Sequence, residues 1–251
     1  MSRIRSAGFE ERLGQDQTSP MWSEHLARYR HPLTSRGARV LDVACGAGVG
    51  LLAMSTPPRV VVGADADRPA LLDARRLVGA ARLVQVDAGA LPFPSGAFDL
   101  VTSFETVEHV QDDRRMVAEL GRVIAPGGIV LVSTPNKLIT SPDGPPANPF
   151  HVREYTPDTL DELMRSAFSE VEIVGQATSP AYGRSVFWMP PRTGLERVQL
   201  IGLKVARRLP PAARRALDRV LPRRLFPGPD DFEFSADSID GSHGLLAICR
   251  P

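Results

Sequence analysis

Residues 40–50 read VLDVACGAGVG, a branched apolar run that passes directly into a glycine-rich turn. A short run of this kind is a buried strand, and glycine at its exit lets the backbone turn tightly and come close to a ligand. Similar runs recur as RVVVGADA (59–66), RLVQVDA (82–88), FDLVTSFE (98–105) and GIVLVSTP (128–135). The intervening segments DRPALLDARRLVG and QDDRRMVAELGRVI carry apolar residues at helical spacing, and APGG (125–128) closes the second helix. Strand alternating with helix predicts an α/β, doubly wound, mostly parallel sheet with helices on both faces.

Beyond this alternation, TPDTLDELMRSAF (156–168) opens with Thr156 as N-cap and Pro157 at the first helical position. VEIVGQAT (171–178) and GLLAICR (244–250) then supply two closing strands, for a sheet of seven. The expected organisation is a helical cap over 1–38, a core over 39–178, a helical insertion over 179–243 and a final core strand over 244–251. At 251 residues the chain is long enough for a well-buried core. Two cysteines, Cys45 and Cys249, make a disulfide scaffold unattractive. The N-terminal MSRIRSAGFEERLGQDQ has no apolar stretch of the secretory kind, and no run is long enough to span a bilayer, so the expected compartment is the cytoplasm.

Ligands of an open parallel sheet bind beyond the carboxyl ends of its strands. Asp42, Asp65 and Asp87 stand at three successive strand ends. Carboxylates there suit ribose hydroxyls, an exocyclic adenine amine and a cationic centre, and they repel a pyrophosphate. That argues against NAD and nucleoside triphosphates.

Four ordered motifs, VLDVACGAG, VVGADAD, VQVDAGALPFPSGAFDLVTSFETVEHV and ELGRVIAPGGIVLVSTPN, resemble those of the class I S-adenosylmethionine-dependent methyltransferases over residues 38–178. The resemblance implies a Rossmann-like methyltransferase fold and an S-adenosylmethionine site. It implies that Asp42, Gly46 and Gly48 surround the methionine part, that Asp65 binds ribose, and that Asp87 with Ala88 binds adenine. Phe104 joins this cofactor set. The family usually has glycine where this chain has Ala44.

Methyl transfer to a hydroxyl requires a proton acceptor, a metal, or both. FETVEHV places Glu105, Glu108 and His109 after the fourth strand, and NPFHVREYT (148–156) places His151, Glu154 and Tyr155 after the fifth. E-x-x-E-H followed by H-x-x-E-aromatic-T resembles the metal site of small-RNA 3′-terminal ribose methyltransferases, and E-x-x-E-H also resembles the ubiquinone-pathway O-methyltransferases. Carried over, Glu105, Glu108, His109 and His151 would hold Mg²⁺ or Mn²⁺. Glu-His after the fourth strand also occurs without metal; His109 then orients a loop or contacts the cofactor, and His151 is a general base or a substrate contact.

The expected function is O-methylation of a sugar, glycolipid or similar small metabolite, with His151 and His109 as the catalytic candidates. A metal-free methyltransferase acting on a quinone-like ring, amine or carbon, and a non-catalytic cofactor-binding protein, are the competing readings. The N-terminal SPMWSEHLARYRHPL (19–33) forms an amphipathic helix. It either turns His25, Arg28 and Tyr29 to the pocket or packs through Trp22, Leu26 and Tyr29. Residues 192–225 carry ten Lys or Arg against Glu196 and Asp218, with Leu195, Val198, Ile201, Val205 and Leu209 at helical spacing up to Pro210-Pro211. AARRALDRVL forms a second helix. Such a pair suits a lid, a lipid-linked acceptor or an anionic membrane surface. It lacks the aromatic interleaving of a single-strand nucleic-acid platform. Oligomeric state is not legible.

Overall fold

The computed structural model describes residues 20–79, 82–182, 193–206, 208–220 and 226–251. Helix α1 (Pro20–Tyr29) precedes strand β1 (Arg39–Val43), which leads through the glycine turn into α2 (Val49–Met54). Then follow β2 (Val60–Asp65), α3 (Arg68–Val78), β3 (Arg82–Gln85), β4 (Phe98–Phe104), α4 (Asp113–Val123) and β5 (Ile124–Pro135). A short helix α5 (Lys137–Thr140) precedes α6 (Pro157–Arg165) and β6 (Glu170–Thr178). Helices α7 (Gly194–Ala206) and α8 (Pro211–Val220), then strands β7 (Phe232–Ser235) and β8 (Gly244–Arg250), complete the order.

The strands form one sheet in the order β3-β2-β1-β4-β5-β8-β6-β7. β1 to β5 are mutually parallel, whereas β8 runs antiparallel to β5 and β6, and β7 antiparallel to β6. The sequence leads us to expect seven strands; the sheet has eight. The extra strand is FEFS, from within the expected insertion, which pairs Phe232–Ser235 with Gly175–Thr178. All four of its residues are only half-buried, so no apolar run marks it.

Alternation along each strand separates two cores. Leu41, Val101, Val130 and Val132 pack with Met116, Leu120, Leu160 and Met164 of α4 and α6. Val40, Leu100 and Leu131 face the other way and pack with Leu26 and Tyr29 of α1. Full burial of each such side chain contributes roughly 1.5–3 kcal/mol. The sheet is therefore sandwiched, and α1 is part of the second layer.

Local side-chain chemistry starts the helices. Asp67 caps α3 by accepting from the Ala70 N–H at 3.1 Å, and Asp112 caps α4 through the Arg115 N–H at 3.0 Å. Thr156 and Thr159 form a reciprocal capping box at α6, with Pro157 in its first turn. APGG acts differently from its expected role as a helix stop. The helix ends at Val123 and the strand begins at Ile124, so APGG forms an irregularity inside β5 where pairing jumps from Phe98–Ile124 to Leu100–Ile129. Gly127, at φ +76°, supplies the left-handed step. Among the described residues no helix is long and apolar enough to cross a membrane.

Candidate active site

The carboxyl ends of β1, β2 and β4 meet the turn at residues 44–48. Ala44, Gly46 and Gly48 all take positive φ, at 61°, 54° and 85°. A Cβ on Gly48 would sit 2.9 Å from the Ala74 Cβ, so this glycine lets α3 close on the turn. The Asp65 carboxylate accepts from the Gly46 N–H and the Asp67 N–H, each at 2.8 Å. It thereby ties the glycine turn to the start of α3. Each of its oxygens keeps acceptor capacity for a further hydroxyl. Asp87 accepts from the Gly89 N–H at 2.7 Å, which fixes the turn holding the half-buried Ala88.

Asp42 is fully buried and accepts from Thr102 Oγ1 at 2.7 Å and from the Tyr29 hydroxyl at 3.1 and 3.2 Å. Burial pushes its carboxyl up to about 7 against the opposing effect of these two hydrogen bonds. Helix α1 thus enters the site by packing and by chemistry together. Tyr29 stacks edge-on with Phe104 at 4.8 Å. Phe104 is itself buried, and His25 lies 6.5 Å from it. Burial first, then the Arg28 charge, depresses His25 to about 3, so it stays neutral.

Arg28 is buried and makes a network that spans the sheet. Its Nε donates to Gln176 Oε1 at 2.7 Å, one terminal nitrogen donates to Glu24 at 3.0 Å, and the same nitrogen lies 3.4 Å from Glu105 Oε1. Both expectations for the N-terminal helix hold in part, since the packing residues Leu26 and Tyr29 and the polar residues Arg28 and Tyr29 all face the sheet.

The mouth of the site is formed by the segment after β4 and the loop before α6. Glu105 sits at φ +53°. Its carboxylate accepts from Ser133 Oγ at 3.0 Å as well as pairing with Arg28. Glu108 is fully buried; Thr134 donates to its Oε2 at 3.0 Å, while its Oε1 accepts no hydrogen bond from any described residue. Burial, reinforced by the neighbouring Glu105 charge, raises the Glu108 carboxyl well above the usual range. The Glu108 carbonyl accepts from the Val152 N–H at 2.8 Å and so fastens the two segments together.

The two histidines lie edge to face, with ring centres 4.8 Å apart. His109 Nδ1 is 3.1 Å from the Phe150 carbonyl, which makes that nitrogen the protonated one in the neutral ring. His151 Nδ1 lies 2.8 Å from Glu154 Oε1, and its Nε2 lies 2.9 Å from Asn148 Nδ2. A carboxylate can only accept and an amide nitrogen can only donate, so Nδ1 carries the proton and Nε2 has the lone pair. Burial works to raise the Glu154 carboxyl, but donation from Ser141, Thr140 and His151 holds it below the usual carboxylate range. Tyr155 turns away, donating to Asp113 at 2.7 Å and locking the loop to α4.

Glu108, His109 and His151 each offer a ligand atom, and these lie within 4.8 Å of one another. Glu105 is outside this group, engaged by Ser133 and Arg28. Thr140 and Ser141 carried no motif in the sequence, and Asn148, at the head of NPFHVREYT, was assigned no role there. Their roles depend on how the Pro- and Gly-rich loop folds back on the strand ends.

Comparison with known proteins agrees with this fold. Residues 41–132 match the family model described as a methyltransferase domain. A protein of Mycolicibacterium smegmatis named "Probable S-adenosylmethionine-dependent methyltransferase" is 37% identical over 137 residues, covering 54% of this chain and 53% of that one. A ubiquinone biosynthesis O-methyltransferase of Mesorhizobium japonicum is 36% identical over 118 residues, covering 44% of this chain and 47% of the relative. Among solved structures, an S-adenosylmethionine-dependent methyltransferase from Archaeoglobus fulgidus shares the fold at a TM-score of 0.59 and 16% identity, covering 93% of this chain and 95% of that one. Residues 41–132 are thus a methyltransferase domain, similar to the class I S-adenosylmethionine-dependent enzymes. The chain spans about half the length of the curated relatives it matches.

Proposed function

We propose that the protein transfers a methyl group from S-adenosylmethionine to a hydroxyl of a small acceptor, a sugar, a glycolipid or a similar metabolite, with His151 as the general base. The observation that carries this reading is the His151–Glu154 contact of 2.8 Å, which leaves the Nε2 lone pair on the far side of the ring. When bound, S-adenosylmethionine supplies an electrophilic methyl group on a sulfonium, and the protein has only to hold an acceptor in line with it. Asp65 would accept from the ribose hydroxyls, Asp87 with the Ala88 N–H would hold adenine, and Asp42, Gly46 and Gly48 would surround the methionine part. His151 Nε2 would take the acceptor's proton as the oxygen–carbon bond forms and the methyl–sulfur bond breaks to leave the neutral thioether, exchanging its contact with Asn148 for one with the hydroxyl. Glu154 keeps the ring in the tautomer that can do so.

A free amine has less need of a base fixed in this way than a neutral hydroxyl does, which supports oxygen over nitrogen. The ubiquinone biosynthesis O-methyltransferase and the demethylmenaquinone methyltransferases among the relatives support a quinone-like ring as the alternative acceptor. The test is turnover with labelled S-adenosylmethionine on a panel of sugars, glycolipids, phenols and amines, for the native protein and His151→Ala. The expected result is hydroxyl methylation that falls by about 10²- to 10⁴-fold in the variant, with S-adenosylhomocysteine affinity retained. Undiminished turnover in the variant removes His151 from the chemistry.

A second reading is favoured by one observation, the Glu108 Oε1 atom that is buried without a hydrogen bond. A divalent cation such as Mg²⁺ or Mn²⁺ held by Glu108, His109 and His151 would satisfy it, and one carboxylate with two imidazoles is a fitting donor set. Glu105 would complete the four-residue set only by leaving Ser133 and Arg28. Such a cation would acidify a bound hydroxyl. Calorimetric titration of metal-stripped protein with Mn²⁺, beside Glu108→Gln, separates the two readings. Stoichiometric binding lost in the variant supports the cation, and silence in the native protein removes it.

A further inference from the structure

Helix α7 is apolar on two sides. On one side Leu200, Leu203 and Ala206 are half-buried or buried. Val198, Ile201 and Val205 point the other way and are 66%, 63% and 56% exposed. Spaced three and four apart, they form one continuous stripe along the outer face. Gly202 lies within that face and is exposed, so it adds no polar side chain. On the wheel, Arg197 and Lys204 flank the stripe on one edge, and both are exposed. Arg208, just past the helix, is exposed as well, as is Arg219 of α8.

An outward apolar stripe is costly in water unless something covers it. The charge distribution indicates what does. Residues 192–225 hold ten of the thirty basic residues and two of the twenty-nine acidic ones, so the rest of the chain has twenty against twenty-seven. The body is acidic and this one segment strongly basic. A second copy of the chain would bring two such basic segments face to face. An anionic surface attracts the segment and repels the body, which orients the molecule with α7 toward it.

We propose that α7, with the basic residues around α7 and α8, is a docking face for the surface of an anionic phospholipid bilayer. Val198, Ile201 and Val205 enter the headgroup–acyl boundary, and Arg197, Lys204 and Arg208 remain at the level of the lipid phosphates. The helix lies in the plane of the membrane, and the methyltransferase core stays on the aqueous side. The inference goes beyond methyl transfer and is read without it.

The test is co-sedimentation of the full chain with vesicles of phosphatidylglycerol and phosphatidylcholine in equal parts, and with vesicles of phosphatidylcholine alone. The native protein is expected to pellet with the first and to stay in solution with the second, and raising the salt should weaken binding about tenfold. Ile201→Asp combined with Val205→Asp should lower partitioning about tenfold with an unchanged melting temperature, since both residues are solvent-exposed. Lys204→Glu with Arg208→Glu should act in the same direction and guards against a folding defect in the first variant. Absence of binding to anionic vesicles, equal binding to both compositions, or binding indifferent to both variants would overturn the proposal. Light scattering that shows a dimer converted to monomer by the aspartate pair would also overturn it, by making a second copy the occupant.

Discussion

Tyr29 donates its hydroxyl to Asp42, at 3.1 and 3.2 Å from the two carboxylate oxygens, and so joins the first helix to the strand that opens the cofactor site. Asp42 titrates near 7 because burial outweighs this hydrogen bond and that from Thr102. A folded-state value above the ordinary 3.8 means that the folded protein binds the proton more tightly. Stability from this group is therefore complete below about pH 4 and is lost as pH rises through about 7, a swing on the order of 4 kcal/mol. Asp42→Asn should flatten that part of the pH–stability curve in denaturant melts. A sulfonium near Asp42 favours the carboxylate, so S-adenosylmethionine binding near pH 7, where the carboxyl is about half protonated, should release up to about half a proton, and neutral S-adenosylhomocysteine should release less. Calorimetry in two buffers of different ionisation heat measures this directly; equal release by both ligands would show that the carboxyl does not sense the sulfonium.

The same tyrosine explains Gly50. A Cβ there would lie 2.1 Å from the Tyr29 ring, so Gly50→Ala must expel the ring or shift α2. We expect a loss of about 1–3 kcal/mol, with weakened S-adenosylhomocysteine binding because Asp42 loses the Tyr29 hydroxyl and keeps only Thr102 as a side-chain donor. Tyr29→Phe keeps the ring and removes only the hydroxyl. It should leave packing intact, and the comparison of the two variants in thermal melts separates crowding from hydrogen bonding.

β1, β4 and β5 were legible because each is a branched apolar run largely buried on both faces, and the cap of α6 because Thr156 acts on a neighbour three residues away. β7 was not, since FEFS is short, only half-buried and set in an acidic stretch, and becomes a strand only because the edge of β6 needs a partner. In the site, the acidic strand ends and the Glu-His and His-Glu segments were visible as residue types in order. Which oxygen faces which nitrogen was not. The diversion of Glu105 to Ser133 and Arg28 joins residues 28 and 77 positions apart in sequence, and no local pattern encodes such contacts. The exposed stripe on α7 shows the same limit. Helical spacing predicted an apolar face at Val198, Ile201 and Val205, but not that it would point outward.

Ala44 occupies a left-handed backbone position, φ 61°, where the family usually has glycine. The Cβ costs roughly 1–2 kcal/mol there, part of which glycine would return through its greater freedom in the unfolded chain. Ala44→Gly should accordingly stabilise the protein by up to about 1 kcal/mol and raise the melting temperature by about 2–4 °C. Unchanged or lowered stability would mean that the turn is held open by contacts that relieve the strain.

Glu154 tests the assignment of the base without removing it. Its carboxylate holds the proton on His151 Nδ1 and is itself held ionised by Ser141 and Thr140. Glu154→Gln preserves shape, but an amide can present its NH₂ to the ring, which moves the proton to Nε2 and removes the lone pair that faces the acceptor. If His151 is the base, kcat should fall by about 10²-fold or more. KM for S-adenosylmethionine should hardly change, because Glu154 is remote from the Asp65 and Asp87 contacts. Glu154→Asp, which keeps the charge, should recover part of the rate. If instead both variants lose cofactor affinity and rate together, Glu154 supports the loop as a whole, and the identity of the proton acceptor must be sought in another residue of the site.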